Sequence, residues 1–393
     1  MILRNFIHGC ECASSGEVFD VINPATAKTA YCFESADEQT LEKAIDSARE
    51  GFLKWSSFSG EQRQRILYRV SSILRKRNEE LARIEVMDTG KPWQEASTVD
   101  VASGADVIEY YGGLTTAIEG VQQSLGEDFF YTRREPLGIC AGIGAWNYPL
   151  QIACWKAGPA LASGNAMIFK PSEETPRGAV ELAKVFVEAG VPEGVFNVVL
   201  GDGRVGQWLT RSEAVHKVSF TGEVQTGARV MANAGATLKE VTMELGGKSP
   251  LIIFDDADLD QAVTGAMLGN FYTQGEICTN GTRVFVQKGI YERFMEVLLE
   301  RTRKHIVCGD PMRPETNLGA LISEQHREKV LSYIHSAVDE GASLVYGGRM
   351  LSPESAPDGY FVEPTIFTGC KDDMRFCREE IFGPVMAVLR FDK

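Results

Sequence analysis

Four compact apolar runs, LGICAGI, NAMIFKP, GVFNVVL and HKVSF, follow one another between residues 137 and 220, with helix-patterned stretches such as RGAVELAKVFVEAG between them. Runs without the polar alternation of a half-exposed strand must be covered on both faces, and crossover helices supply that cover. The pattern predicts an α/β unit built on a parallel sheet. A second alternation follows ELGGKSP: the strand candidates SPLIIFD and TRVFVQ, and helices over QAVTGAMLGNF, IYERFMEVLLERTRKH and HREKVLSYIHSAVDEG. The junction between the two falls near Glu244 to Gly247. Upstream, Leu41, Ile45, Ala48 and Phe52 recur at helical spacing. The stretch from Glu61 carries a helical pattern as far as Gly90, with Pro92 just beyond, and VDVASGADVIEYYGGL is a further helix. Short mixed runs in EGVQQSLGEDFFYTRREPLG suggest strands.

Composition narrows the class of protein. With 393 residues, 44% hydrophobic, the chain can fill one large or two medium domains. Forty Lys and Arg against 54 Asp and Glu give a net charge of -14, which disfavours a nucleic-acid partner but leaves room for a small anionic cofactor held by backbone N–H groups. No stretch reaches the roughly 20 apolar residues of a membrane span, and the N-terminal stretch does not read as a secretory signal, so the expected location is cytoplasmic. Nine scattered cysteines fit a reducing compartment, and the close pair Cys10 and Cys12 lacks the second pair a zinc site needs, so no metal site is expected.

Several residues could carry chemistry, each with a plainer reading beside it. FTGEVQTG places Gly222 and Gly227 after an apolar run, where a strand, turn and helix could present N–H groups to a pyrophosphate or merely form a structural turn. Lys170 ends AMIFK and Glu173 follows in PSEE; the pair could hold a ribose or could be a solvated strand end. Cys278, in GEICTNGTR, would be a strong nucleophile as a thiolate, or a packed core cysteine. Glu244 in MELGGKSP could activate water, or form a salt bridge. Glu380 in EEIFGP could accept two ribose hydroxyls with Phe382 beside it. In GIGAWNYPLQIACW, Asn147 can donate to an oxyanion, Pro149 can open a helix, and Tyr148 and Trp155, seven apart, would share one side of it as a pocket wall or as core.

Taken together and in this order, WNYP, FKPSE, FTGEVQTG, MELGGKSP, GEICTNGTR and EEIFGP resemble the aldehyde dehydrogenase superfamily, and YTRREPLG, GIGAWNYP and CTNGTRVFVQ look closest to the betaine aldehyde dehydrogenases and their aminoaldehyde neighbours. The resemblance runs through practically the whole chain. It implies a Rossmann-like NAD(P)-binding domain over residues 1–117 and 136–245, an oligomerisation hairpin at 118–135, and a catalytic domain over 246–393. It assigns Cys278 as nucleophile, Glu244 as general base and Asn147 as oxyanion donor. Trp146, Lys170, Glu173, Thr221, Gly222, Gly227, Glu380 and Phe382 fall to the cofactor, and Tyr148, Trp155 and Tyr272 to the substrate pocket.

The implied activity is oxidation of betaine aldehyde to glycine betaine through a thiohemiacetal and a thioester, serving osmoprotection or choline catabolism. NAD⁺ is the expected cofactor with NADP⁺ the alternative, since Glu173 would repel an added phosphate and Lys170 could relieve that. The subgroup also suggests a structural monovalent cation. Homo-dimers or tetramers are expected for the full-length form. Relatives continue well beyond the end at VLRFDK, so the substrate wall and oligomer contacts are expected to be incomplete. Two other readings stay open: another aminoaldehyde, such as trimethylaminobutyraldehyde, as substrate, or an inactive fragment that binds cofactor.

Overall fold

The computed structural model describes residues 2–393, which form two compact units. The first comprises residues up to Val21, Tyr31–Glu85 and Ser97–Glu244; the second comprises Ile22–Ala30, Val86–Ala96 and Leu245–Lys393.

The first unit contains a seven-stranded sheet. Its strands in chain order are β1 (Asn5–Ile7), β2 (Cys10–Cys12), β5 (Ile139–Ile143), β6 (Ala166–Lys170), β7 (Phe196–Val198), β8 (Lys217–Gly222) and β9 (Glu240–Leu245), with β3 (Gln122–Leu125) and β4 (Asp128–Tyr131) forming a separate hairpin. The spatial order is β9-β8-β5-β6-β7-β1-β2. Strands β8, β5, β6 and β7 run parallel, and β1 and β2 close the edge antiparallel. Every residue of β5, β6 and β7 is buried, as the continuous apolar runs require.

Helices α1 (Glu38–Ser56), α2 (Gly60–Lys76), α3 (Asn78–Thr89), α4 (Val101–Leu114), α5 (Pro149–Ala162), α6 (Arg177–Glu188), α7 (Gly203–Arg211) and α8 (Val224–Gly235) also belong wholly or largely to this unit. Local chemistry explains their starts. Asp37 caps α1 by accepting from Thr40 N at 2.7 Å, and Ser59 and Gln62 exchange a capping-box pair at the head of α2. The helical pattern running up to Gly90 divides into α2 and α3 at Arg77. There the guanidinium turns back to Glu80 at 2.7 Å and across to Glu181 at 2.8 Å, and periodicity carries no trace of those partners.

The hairpin β3–β4 exposes all eight strand residues, including Phe129, Phe130 and Tyr131, around Gly126 at φ +78°. Sequence patterning had suggested strands here, and the hairpin's turn is one that only glycine adopts without strain.

In the second unit, β10 (Pro250–Ile253), β11 (Arg283–Gln287), β12 (Ser343–Tyr346), β13 (Thr365–Thr368) and β14 (Val385–Phe391) form a sheet of order β10-β11-β14-β13-β12. All pairs are parallel except β12 with β13. Along β14, Val385, Ala387 and Leu389 enter one apolar cluster with Val330 and Phe376, while Met386 and Val388 enter another with Phe271 and Phe294. That two-residue alternation buries both faces. Helices α9 (Leu259–Phe271) and α10 (Lys288–His305) cover one face, and α11 (Glu324–Asp339) with the short α12 (Arg375–Arg378) covers the other.

Trp55 in α1 is fully buried, and its indole N–H donates to Leu161 O at 2.8 Å. Trp55→Ala is expected to cost about 3–5 kcal/mol in denaturant unfolding, and Trp55→Phe far less, since it keeps most of the packing. Equal losses would show that the hydrogen bond, not the filled volume, holds this contact.

Candidate active site

In the first unit, β6 ends at Lys170, whose buried ammonium pairs with Glu173 Oε2 at 3.0 Å while the Glu173 side chain stays about 43% exposed. A buried cation joined to an accessible carboxylate leaves acceptor capacity for a hydroxyl-bearing ligand. Strand β8 ends at Gly222 and α8 begins two residues later, with no side chain capping its first turn. Gly227 is buried within α8, its N–H donating to Glu223 O at 2.9 Å. FTGEVQTG is therefore a strand, a turn and the open N-terminus of a helix, a natural seat for an anion.

Trp146, Asn147 and Tyr148 lie on the turn between β5 and α5; Asn147 is buried and the two aromatic residues are half-buried. Pro149 opens α5, as its fixed φ favours. Tyr148 precedes the helix with φ −138° and ψ 62° and has no capping side chain. The Glu85 carboxylate takes over, accepting from Leu150 N at 3.1 Å. The spacing of Tyr148 and Trp155 accordingly does not place them on one helical face: only Trp155 is on α5, and it is about half exposed.

Trp155, Thr221 and Glu244 line a cavity of about 800 Å³. Lys156 lines it too, a residue for which sequence periodicity offered no signal. Its Nζ donates to Ser219 Oγ at 3.0 Å, and burial pulls its pKa down to about 7, opposed by the nearby Glu244 charge. A lysine that titrates near neutrality can exchange a proton with a carboxylate facing the same cavity.

The second unit holds Tyr272, Cys278, Glu380 and Phe382. Cys278 is partly exposed on a loop after α9. The backbone leading to it is left-handed at Thr273 (φ 48°) and Gln274 (φ 53°), an unusual state for residues with a Cβ. Glu95 holds this bend, accepting from Thr273 N at 3.0 Å and Thr273 Oγ1 at 2.8 Å. Glu276, two residues before the cysteine, accepts from Ile322 N at 3.0 Å. Burial raises the Glu276 pKa well above the carboxylate range, with Lys91 only partly offsetting it. His326 lies 3.7 Å from Glu276, and burial lowers its pKa to about 4. Burial thus favours the neutral form of both groups, which weakens any ion pairing between them. His326 Nε2 meets Phe382 O at 2.6 Å, and since a carbonyl only accepts, this nitrogen carries the proton. Phe382 itself has φ 63°.

Glu380 Oε1 accepts from Gly247 N at 3.3 Å, and a Cβ on Gly246 would collide with the same carboxylate. Close approach of the Glu380 carboxylate thus explains Gly246. Sequence reading had identified Glu380 and both glycines, but not Glu85, Glu95, Glu276, Lys156 or His326. Isolated charged residues have no periodic signature, and their burial is decided by partners far away in the chain.

The sequence motifs thus fall at a buried lysine paired with an accessible acid where β6 ends, at an uncapped helix after β8 and on a braced cysteine loop. The aldehyde dehydrogenase family model matches residues 12–393. The chain belongs to the aldehyde dehydrogenase family.

A betaine aldehyde dehydrogenase of Vibrio vulnificus (strain YJ016) is 62% identical over 379 residues, which is 96% of this chain and 78% of that protein. Among solved structures, an NAD-dependent aldehyde dehydrogenase from Sinorhizobium meliloti superposes with TM-score 0.96 at 38% identity, covering 100% of this chain and 78% of that one. A point mutant of betaine aldehyde dehydrogenase from Staphylococcus aureus, in complex with NAD⁺, gives TM-score 0.96 at 36% identity over 99% of this chain and 80% of that one. The α/β aldehyde dehydrogenase fold with its Rossmann-like sheet is thereby established. Among the described residues, no helix is long and apolar enough to cross a membrane, and no cluster of three or more His, Cys, Asp or Glu could hold a metal ion.

Replacing Glu276 by Gln tests the protonation just described. The native carboxyl keeps a proton that the unfolded chain gives up above pH about 4.3, so wild-type stability falls as pH rises from there toward the raised native value. Glu276→Gln removes this penalty, and its thermal midpoint relative to wild type should climb between acidic and slightly alkaline pH. A difference that is flat with pH would mean that Glu276 is ionised in the folded protein.

Proposed function

We propose that this protein oxidises betaine aldehyde to glycine betaine with NAD⁺, through a thioester on Cys278. The observation that carries the substrate is the 62% identity to a betaine aldehyde dehydrogenase over 96% of the chain. Lys170 and Glu173 would hold the adenine ribose, Thr221, Gly222 and the head of α8 with Gly227 the pyrophosphate, and Trp146, Glu380 and Phe382 the nicotinamide end. The paired Lys170 and Glu173 and the uncapped turn after Gly222 suit such a ligand. Bound NAD⁺ supplies the hydride acceptor.

In this reading the Cys278 thiolate attacks the aldehyde carbon, and the Asn147 side-chain NH₂ with the Cys278 backbone N–H steadies the oxyanion. Loss of hydride turns the thiohemiacetal into a thioester. Glu244 then takes a proton from the attacking water, and Lys156, facing the same cavity with its pKa drawn down to about 7 by burial, passes that proton on. Tyr148, Trp155 and Tyr272 would face the trimethylammonium head, a cation that needs no hydrogen-bond partner and gains about 0.5–2 kcal/mol from an aromatic face. The exposed aromatic hairpin β3–β4 would join copies of the chain into a dimer or tetramer.

The deciding experiment follows NADH formation with betaine aldehyde, trimethylaminobutyraldehyde and an uncharged aliphatic aldehyde of similar length. Betaine aldehyde should have the highest kcat/KM; equal turnover of the uncharged aldehyde would defeat the cation pocket. Cys278→Ala should abolish turnover while NAD⁺ still binds, and Asn147→Ala should lower kcat by about 10²–10³. Binding of NAD⁺ by the wild-type chain without NADH formation would leave a cofactor-binding protein and overturn the catalytic assignment.

Cofactor choice is tested separately. Glu173→Gln should raise kcat/KM for NADP⁺ relative to NAD⁺, because it removes the charge that would repel a 2′-phosphate; an unchanged ratio would place the discrimination elsewhere.

A further inference from the structure

Three side chains of the second unit meet beside α12, away from Cys278 in sequence and unused by the chemistry above. Cys377, in α12, is 1% exposed within the apolar cluster that β14 shares with α11, and Cys370 packs against the same cluster from the turn after β13. The two thiols are within hydrogen-bonding reach, Cys370 donating to the Cys377 sulfur. The third side chain is Lys248, whose Nζ is buried without a hydrogen-bond partner and lies near both sulfurs and Glu380. Burial lowers its pKa to about 8. The Cys370 hydrogen bond, followed by the Lys248 charge, brings Cys377 below the ordinary thiol range against the opposing effect of burial. Both cysteines are free thiols.

A buried ammonium without a hydrogen-bond acceptor is costly unless an anion forms beside it. A thiolate on Cys377 is that anion, and it is also the species that reacts with oxidants. We propose that Cys370 and Cys377 form a redox modification site, a dithiol that a small peroxide closes to a disulfide, displacing the Glu380 to Phe382 turn that follows α12.

The chemistry balances with peroxide as the oxidant. The Cys377 thiolate attacks one peroxide oxygen, the O–O bond breaks, and the departing hydroxide takes a proton to leave as water, giving a sulfenic acid. The Cys370 sulfur then attacks the Cys377 sulfur, the S–O bond breaks, and the released hydroxide carries off the Cys370 proton as a second water. Two thiols are oxidised and one peroxide is reduced. Because Cys377 is enclosed, a bulky disulfide such as oxidised glutathione is excluded. Only Arg378 and Glu379 separate Cys377 from Glu380, which accepts from Gly247 N, and His326 grips Phe382 O, so pulling α12 toward Cys370 loads both contacts. The consequence for cofactor rests on the role proposed above for Glu380 and Phe382; the disulfide itself does not.

The test treats the Cys278→Ala chain, saturated with NAD⁺, with hydrogen peroxide and maps its peptides by mass spectrometry. The expected product links Cys370 to Cys377, lacks two hydrogens, reverts with dithiothreitol, and does not form with oxidised glutathione. Lys248→Met should slow linkage severalfold, and Cys370→Ser should divert Cys377 to sulfinic acid. Sulfinic acid on Cys377 with Cys370 still reduced in the parent chain, or both thiols intact while exposed Cys10 oxidises, would overturn the site. The linked form should bind NAD⁺ severalfold more weakly. Unchanged affinity in a fully linked chain would overturn the coupling, whereas no NAD⁺ binding by either form would strike the cofactor reading and leave the dithiol standing.

Discussion

A single carboxylate, that of Glu95, fixes the backbone from which the Cys278 loop departs. Its Oε2 takes both the N–H and the hydroxyl of Thr273, at a residue whose left-handed conformation would otherwise be unfavourable. Strain of this kind costs on the order of 1–3 kcal/mol and persists only where surrounding contacts over-determine it. The next residue repeats it, and Gln274 Oε1 takes Gly319 N at 3.3 Å. Gly275 follows with φ +75°, where any side chain would meet the Gly383 carbonyl. The loop reaches Cys278 already bent, so in the role proposed for that cysteine little reorganisation would be left for the moment of attack.

The same logic recurs with neutral partners. Glu276 and His326 are chargeable groups that burial shifts toward their neutral forms, and they spend hydrogen-bonding capacity on Ile322 N and Phe382 O. Polar groups placed this way rigidify a core only because each finds a partner. The second unit thus holds two loop segments, one before Cys278 and one at Phe382, through buried side chains.

Sequence reading recovered the parts whose signal is periodic or compact. The runs behind β5, β6 and β7 were visible because strands buried on both faces must be apolar throughout, and Gly222 because close approach favours glycine. The break at Arg77 was hidden since the ionic partner that helps form it, Glu181, lies over a hundred residues away. Tyr148 and Trp155 misled for a related reason: a spacing of seven describes a helix face only when both residues are helical, and Pro149 starts the helix after the first of them. Lys156 was passed over in a helix that reads as apolar, and its perturbed charge arises from enclosure, not from its neighbours in sequence.

The order of strands in the second sheet bears on how the chain can be made. Strand β14 is synthesised after β10, β11, β12 and β13, yet it is seated between β11 and β13. Until Val385–Phe391 has left the ribosome, β11 and β13 each present a bare hydrogen-bonding edge, and Phe271, Phe294, Phe367 and Phe376 lack the strand that separates their two clusters. Unpaired edges beside uncovered aromatic surface invite pairing with other chains. Assembly of this half therefore passes through an open-sheet stage during translation, and the cell's holding chaperones would meet the protein there.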